Sequence, residues 1–221
     1  QTPPVFDAGK ASGFHLARNP KNLFFRWRRA VSGVVFGGSR SLSSSFAPLV
    51  RSVVAAALAG APFVSVGCAA GADQAVLSSV LALGAAPRLR LFCVGASSGA
   101  GFWSGSAPFA LLRSAAAAGA AVSWCSGGPA SVPFRARLLR RSVASLAGCS
   151  AAVFFLSSPS SPGSLRVAAC AVRAGLPVFV FPCGFSGVPL PLAGCAGAWV
   201  PSSFCGFSCL AWQPAARQLV F

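Results

Sequence analysis

VSGVVFGGSR, residues 31–40, runs from an apolar segment straight into a turn of small residues. Val31–Phe36 predicts a buried strand, and Gly37-Gly38-Ser39 the turn that leaves it. Arg40 follows at once. Backbone N–H groups in such a turn approach an anion closely, so Ser39 is expected to donate a hydrogen bond there and Arg40 to supply charge. Outward from this stretch the pattern repeats. Phe46–Ala59 has helical spacing, Pro62–Val66 reads as a second strand, and a helix ending near Leu83 follows the small-residue loop Gly67–Asp73. Further strands are predicted at Leu89–Val94, Ala121–Trp124, Ala151–Leu156 and Pro177–Phe181, separated by helices over Phe109–Ala118, over Phe134–Leu146 and from Ser164 to about Arg173. Continuous apolar strands alternating with helices imply a single Rossmann-like α/β domain, a mostly parallel sheet with helices on both faces. In such sheets the loops at the carboxyl ends of the strands share one crevice and bind ligands there.

The domain is expected over residues 31–183, between a basic arm at 1–30 and an irregular Pro/Gly/Cys-rich tail at 184–221. The arm carries Lys10, Arg18, Lys21, Arg26, Arg28 and Arg29, with Phe24, Phe25 and Trp27 among them. That mixture suits phosphates and stacked bases, or a tail whose rings pack back on the domain. The C-terminal tail has Arg217 as its one charge and reads as chain packed on the domain or against a protein assembly partner.

The 221 residues hold 18 Lys+Arg against 2 Asp+Glu, a formal net charge of +16. Nucleic acid, with its dense phosphate charge, is the first partner such a balance implies, and an anionic membrane surface the second. The chain lacks Ile, Met, Tyr and Glu, and nearly all its basic residues are Arg. Translation of an adenine-poor coding strand would produce that bias, so the charge is open to two origins, selection for an anionic partner or base composition. Hydrophobic residues reach 55% and mean hydropathy +0.70. Even so, the uncharged stretch Val53–Ala72 is broken by Gly60, Pro62, Gly67 and Gly71, so no membrane span is expected and no signal-peptide pattern precedes it. The 9 cysteines are an odd number scattered through apolar segments, which points to free thiols in a reducing, cytoplasmic compartment. Cys205 and Cys209 form the only close pair, and with His15 the sole histidine there is no second ligand pair. Neither metal nor other cofactor is expected.

Chemistry is concentrated in three loops. Besides Gly37, Gly38, Ser39 and Arg40, the second loop offers Gly67, Gly71 and Asp73, the last placed to cap a helix or orient a sugar hydroxyl. The third offers Ser161, Gly163 and Ser164 at a helix N-terminus, where they could line a phosphate pocket. On the basic helix, Arg137, Arg140 and Arg141 share a face at helical spacing, with Arg135 at the helix start. Lacking carboxylates to pair with, these groups are expected to face water or an anionic ligand.

These segments resemble a known group. VVFGGSR (34–40), VSVGCAAGAD (64–73), FRARLL (134–139) and PGSLRVAACAVRAGLPVFVFPCG (162–184) occur in the order seen in the SLOG superfamily. That Rossmann-like superfamily joins the DprA/Smf DNA-processing proteins, the YspA-like proteins and the LOG-type "lysine decarboxylase" nucleotide hydrolases. The resemblance covers roughly residues 31–200, and its last segment is the most specific. It implies a DprA-like, nucleotide- or DNA-binding crevice and directs Arg135 and Arg137 toward it. The chain departs from the pattern at Ala70, where DprA-like proteins carry Arg, and at Ala136, where they carry Asn. Val167 stands where LOG-type hydrolases carry the catalytic Glu. Hydrolysis of that kind needs a carboxylate to support the transition state or activate water, and Asp7 and Asp73 are the only ones in the chain.

The expected function is therefore non-enzymatic binding of single-stranded DNA or RNA, with the phosphate backbone held in the crevice by Arg40, Arg135 and Arg137 and extended by the arm. Two alternatives stand beside it. One is a small-nucleotide sensor or degenerate nucleotide hydrolase. The other is a structural component of a nucleoprotein assembly such as a virion or ribosome-like particle.

Overall fold

A computed structural model describes residues 32–215; the basic arm at 1–30 lies outside the described residues. Six parallel strands come first: β1 (Gly33–Gly38), β2 (Val64–Val66), β3 (Leu89–Phe92), β4 (Ala121–Ser123), β5 (Cys149–Leu156) and β6 (Val178–Pro182). Five helices connect them: α1 (Ala47–Gly60), α2 (Ala72–Ala82), α3 (Phe109–Ala117), α4 (Phe134–Ala144) and α5 (Pro162–Arg173). A hairpin, β7 (Gly197–Phe204) and β8 (Phe207–Pro214), completes an eight-stranded sheet of order β4-β3-β2-β1-β5-β6-β8-β7. The expected α/β architecture is the observed one.

The strands are apolar throughout because both faces of the sheet are covered. Val34 and Phe36 of β1 and Ala151, Val153 and Phe155 of β5 enter the core against α1, α2 and α3. Their alternates, Val35, Ala152, Phe154 and Leu156, enter a second core with α5. Phe155 is fully buried, stacked between Phe36 and Phe181 at centroid distances of 6.2 and 5.3 Å.

The C-terminal tail departs from expectation. Residues 183–196 are irregular as read, but Gly197–Pro214 is a hairpin whose β8 pairs antiparallel with β6. Trp199 and Trp212 sit opposite each other and meet edge to face at 5.1 Å, while Phe204 packs on Phe179 at 5.1 Å. The hairpin thus adds apolar area to both cores. Its turn is Cys205-Gly206, both at positive φ (51° and 87°), the backbone of a type I′ turn whose twist matches the strands. In a two-residue hairpin the flanking pair, here Phe204 and Phe207, exchanges hydrogen bonds and every second pair does likewise. Pro201 falls on a non-exchanging pair, so its nitrogen faces the open edge, where a strand tolerates proline.

All nine cysteines are unbridged thiols, and among the described residues no three His, Cys, Asp or Glu gather to hold a metal. No described helix is long and apolar enough to cross a membrane. Burial pushes the Cys149 and Cys183 thiols up from 9.0 to about 11 and Cys209 to about 12. In the unfolded chain these thiols ionise near the ordinary value, so the unfolded state releases protons first as pH rises. Their contribution to stability is whole below about pH 8 and is lost as pH climbs through about 9 toward 12. Thermal melts under reductant should show Tm declining across that window. Replacing Cys149, Cys183 and Cys209 together by Ala should lower the starting Tm and flatten the decline.

Candidate functional site

The strand order reverses between β1 and β5, and a crevice of about 500 Å³ opens there at their carboxyl ends. Three loops and one face of α4 line it.

The first wall is Gly37–Arg40. Gly37 and Gly38 are the last residues of β1, paired with Phe154 and Phe155, so the turn begins only at Ser39. Pairing with β5 carries the strand two residues further than its apolar run. Ser39 is buried, with its hydroxyl accepting from the Ser157 N–H at 2.9 Å and meeting the Ser161 hydroxyl at 2.7 Å. Its N–H donates to the Phe155 carbonyl (2.9 Å), and its carbonyl accepts from the Ala72 N–H (3.0 Å). Ser39 was expected to face a ligand; it lines the crevice, and its polar atoms also form the clasp that holds three loops together. Arg40 is exposed at the rim, its guanidinium 5.6 Å from the centroid of the Trp103 ring.

The second wall is Gly67–Asp73. Gly71 has φ +74° and lies against the Ser39 and Arg40 carbonyls, where any Cβ would clash, so only glycine lets this loop pass behind the first. A Cβ on Gly67 would fall on the Arg141 guanidinium. Asp73 was expected to cap a helix or touch a sugar. Its Oδ2 instead accepts from the Ala69 N–H and from Arg141 Nη1, both at 3.1 Å, with the two side chains 8% and 6% exposed. Arg141 therefore has a carboxylate partner, contrary to expectation, and its Nε is buried without a protein partner. Close to this pair the Cys68 thiol is shifted downward, chiefly by a hydrogen bond from Cys93 and further by the Arg141 charge, against the effect of burial.

The third wall is the start of α5. Ser161 occupies the N-cap position, but its hydroxyl donates to the Ser158 carbonyl and meets the Ser39 hydroxyl, so no side chain caps the helix. Pro162, Gly163 and Ser164 line the crevice beside it, and Arg166 projects from the next turn.

From α4, Arg135 lines the crevice, whereas Arg137 and Arg140 do not. Arg137 donates to the Val94 carbonyl at 2.8 Å, and Arg140 is exposed near Gly128. The shared Arg face is thus divided between a carbonyl, solvent and a buried carboxylate. The crevice gathers four guanidinium groups, those of Arg40, Arg135, Arg141 and Arg166. Arg141 and Arg166 escaped sequence reasoning as crevice residues, although Arg166 two residues after Ser164 was a usable signal.

Removing one member of a buried ion pair strands the other. Asp73→Ala should cost about 3–5 kcal/mol in urea unfolding. Asp73→Ala with Arg141→Leu should recover much of that loss, since neither charge then remains unpaired.

The fold is similar to the X-ray structure of DNA processing protein A (DprA) from Streptococcus pneumoniae, with a TM-score of 0.54 at 22% sequence identity. The match covers 74% of this chain and spans 59% of the length of that one. No protein-family profile matches the chain, and no curated protein matches it by sequence. What the chain shares with DNA processing protein A is a Rossmann-like fold.

Proposed function

We propose that the chain binds single-stranded nucleic acid in the crevice and performs no chemistry on it. The observation that carries this reading is the balance of charge: four guanidinium groups around one space, against one carboxylate already held by Arg141. Phosphates of a backbone lying in the crevice would neutralise Arg40, Arg135 and Arg166 and meet the uncapped N–H groups of α5. Catalysis lacks its usual group. Asp73 is the sole acidic residue among the described residues, and Val167 lines the crevice where a hydrolase of the LOG type would place Glu. The structurally similar DNA processing protein A is by its name a DNA-processing protein, which agrees with a polynucleotide ligand.

A small nucleotide is the second reading, favoured by the crevice volume, which lies within the range of small-ligand pockets. It requires that a mononucleotide raise Tm by mass action and compete with an oligonucleotide.

Salt titration of oligonucleotide binding tests the first reading. Each neutralised phosphate of a single strand contributes about 0.7 to the slope of log affinity against log salt. Arg40→Ala, Arg135→Ala and Arg166→Ala should each lower the slope by roughly that amount and weaken all sequences alike. Arg113→Ala, on α3 and outside the crevice, should change neither. Binding that is absent or indifferent to salt would overturn the reading.

A further inference from the structure

Beside the cationic crevice lies an aromatic pair whose exposure core packing does not require. Phe134 opens α4 and is 39% exposed, the only Phe or Trp ring so open among the described residues. Trp103, in the loop between β3 and α3, meets it edge to face at 5.1 Å. Both positions are fixed from below. The Trp103 loop is pinned to the second crevice wall by Ala70 N–H to the Gly105 carbonyl (2.8 Å) and by Ala107 N–H to the Cys68 carbonyl (2.9 Å). Arg40 lies over the Trp103 ring, and Arg135 adjoins Phe134 in sequence; both line the crevice. A singly exposed ring on a protein surface needs no explanation. Here the ring is braced by a second aromatic that carries Arg40 over its own ring, and Arg135 follows it in the chain; both cations line the crevice.

We propose that Phe134, braced by Trp103, is a base-stacking subsite: an unstacked nucleobase lies on the open face of Phe134 while the adjoining phosphates are held by Arg40 and Arg135. This rests on the single-stranded nucleic-acid reading above and adds to it the subsite that would recognise a base face. Bases in a duplex stay stacked on one another and turn only their edges outward, so a protruding ring reaches a base face only in a single strand. Base identity is not read, because every base has a face to stack.

The test compares an oligothymidylate with an abasic deoxyribose-phosphate strand of equal length, both single-stranded, by fluorescence anisotropy. Wild type should bind the oligothymidylate roughly 5- to 100-fold more tightly, the range for one or two stacked bases. Phe134→Leu keeps the apolar bulk against Trp103 and should abolish that preference, leaving abasic affinity and its salt slope unchanged. In the wild type, oligothymidylate but not the abasic strand should quench indole emission, and Trp103→Phe should remove the quenching. Equal wild-type affinity for the two strands overturns the stacking subsite while salt-dependent binding keeps the nucleic-acid reading. Full preference retained in Phe134→Leu overturns it as well. Failure to bind either strand overturns both.

Discussion

The Asp73 carboxylate and the Arg141 guanidinium face each other at 3.1 Å inside the protein, where neither can be left without the other. Taking two charges out of water costs several kcal/mol per ion, and their attraction together with accompanying hydrogen bonds offsets that cost only in good geometry. Such a pair therefore constrains more than it stabilises. Asp73 sits in the first turn of α2, where the helix dipole favours an anion, and also accepts from the backbone of its own loop. Through Arg141 the same carboxylate locates α4. With α4 located, Arg135 and Phe134 at its beginning are brought to the crevice rim. One buried contact thus sets the second wall and the helical wall in register.

The clasp made by Ser39 does the same for the first and third walls. Its hydroxyl, N–H and carbonyl reach Ser157, Ser161, Phe155 and Ala72, which belong to two segments besides its own. Polar groups buried this deeply are tolerated because each has its partner. The cations are left at the surface of this frame. The division of labour is physical: small residues and one ion pair build the walls, and long guanidinium side chains reach over them.

The alternation of elements was legible because buried parallel strands leave no ambiguity of face: Val34, Val35 and Phe36 are all apolar. The three loops were legible for the related reason that small residues must follow where backbones converge. Less accessible was anything decided by partners distant in sequence. Gly37 and Gly38 look like turn residues until Phe154 and Phe155 pair with them. Arg141 looks like one more solvated arginine on a basic helix, since its carboxylate lies 68 positions away. Arg137 and Arg140 share a helical face with it in projection, but a carbonyl at Val94 and open solvent divide them. The β7–β8 hairpin was hidden by its own chemistry. Cys205 occupies a left-handed position where Asn or Asp is the usual signal, and Pro201 interrupts a run that would otherwise read as a strand.

That proline has a wider consequence. A chain that is 55% hydrophobic and ends its sheet on an unpaired strand offers a template on which further strands could assemble. At Pro201 the outer row of donors is broken, and the ring stands where an incoming backbone would need to lie. The sheet is thereby terminated at that edge, and resistance to strand-by-strand aggregation is written into a single residue of the last hairpin.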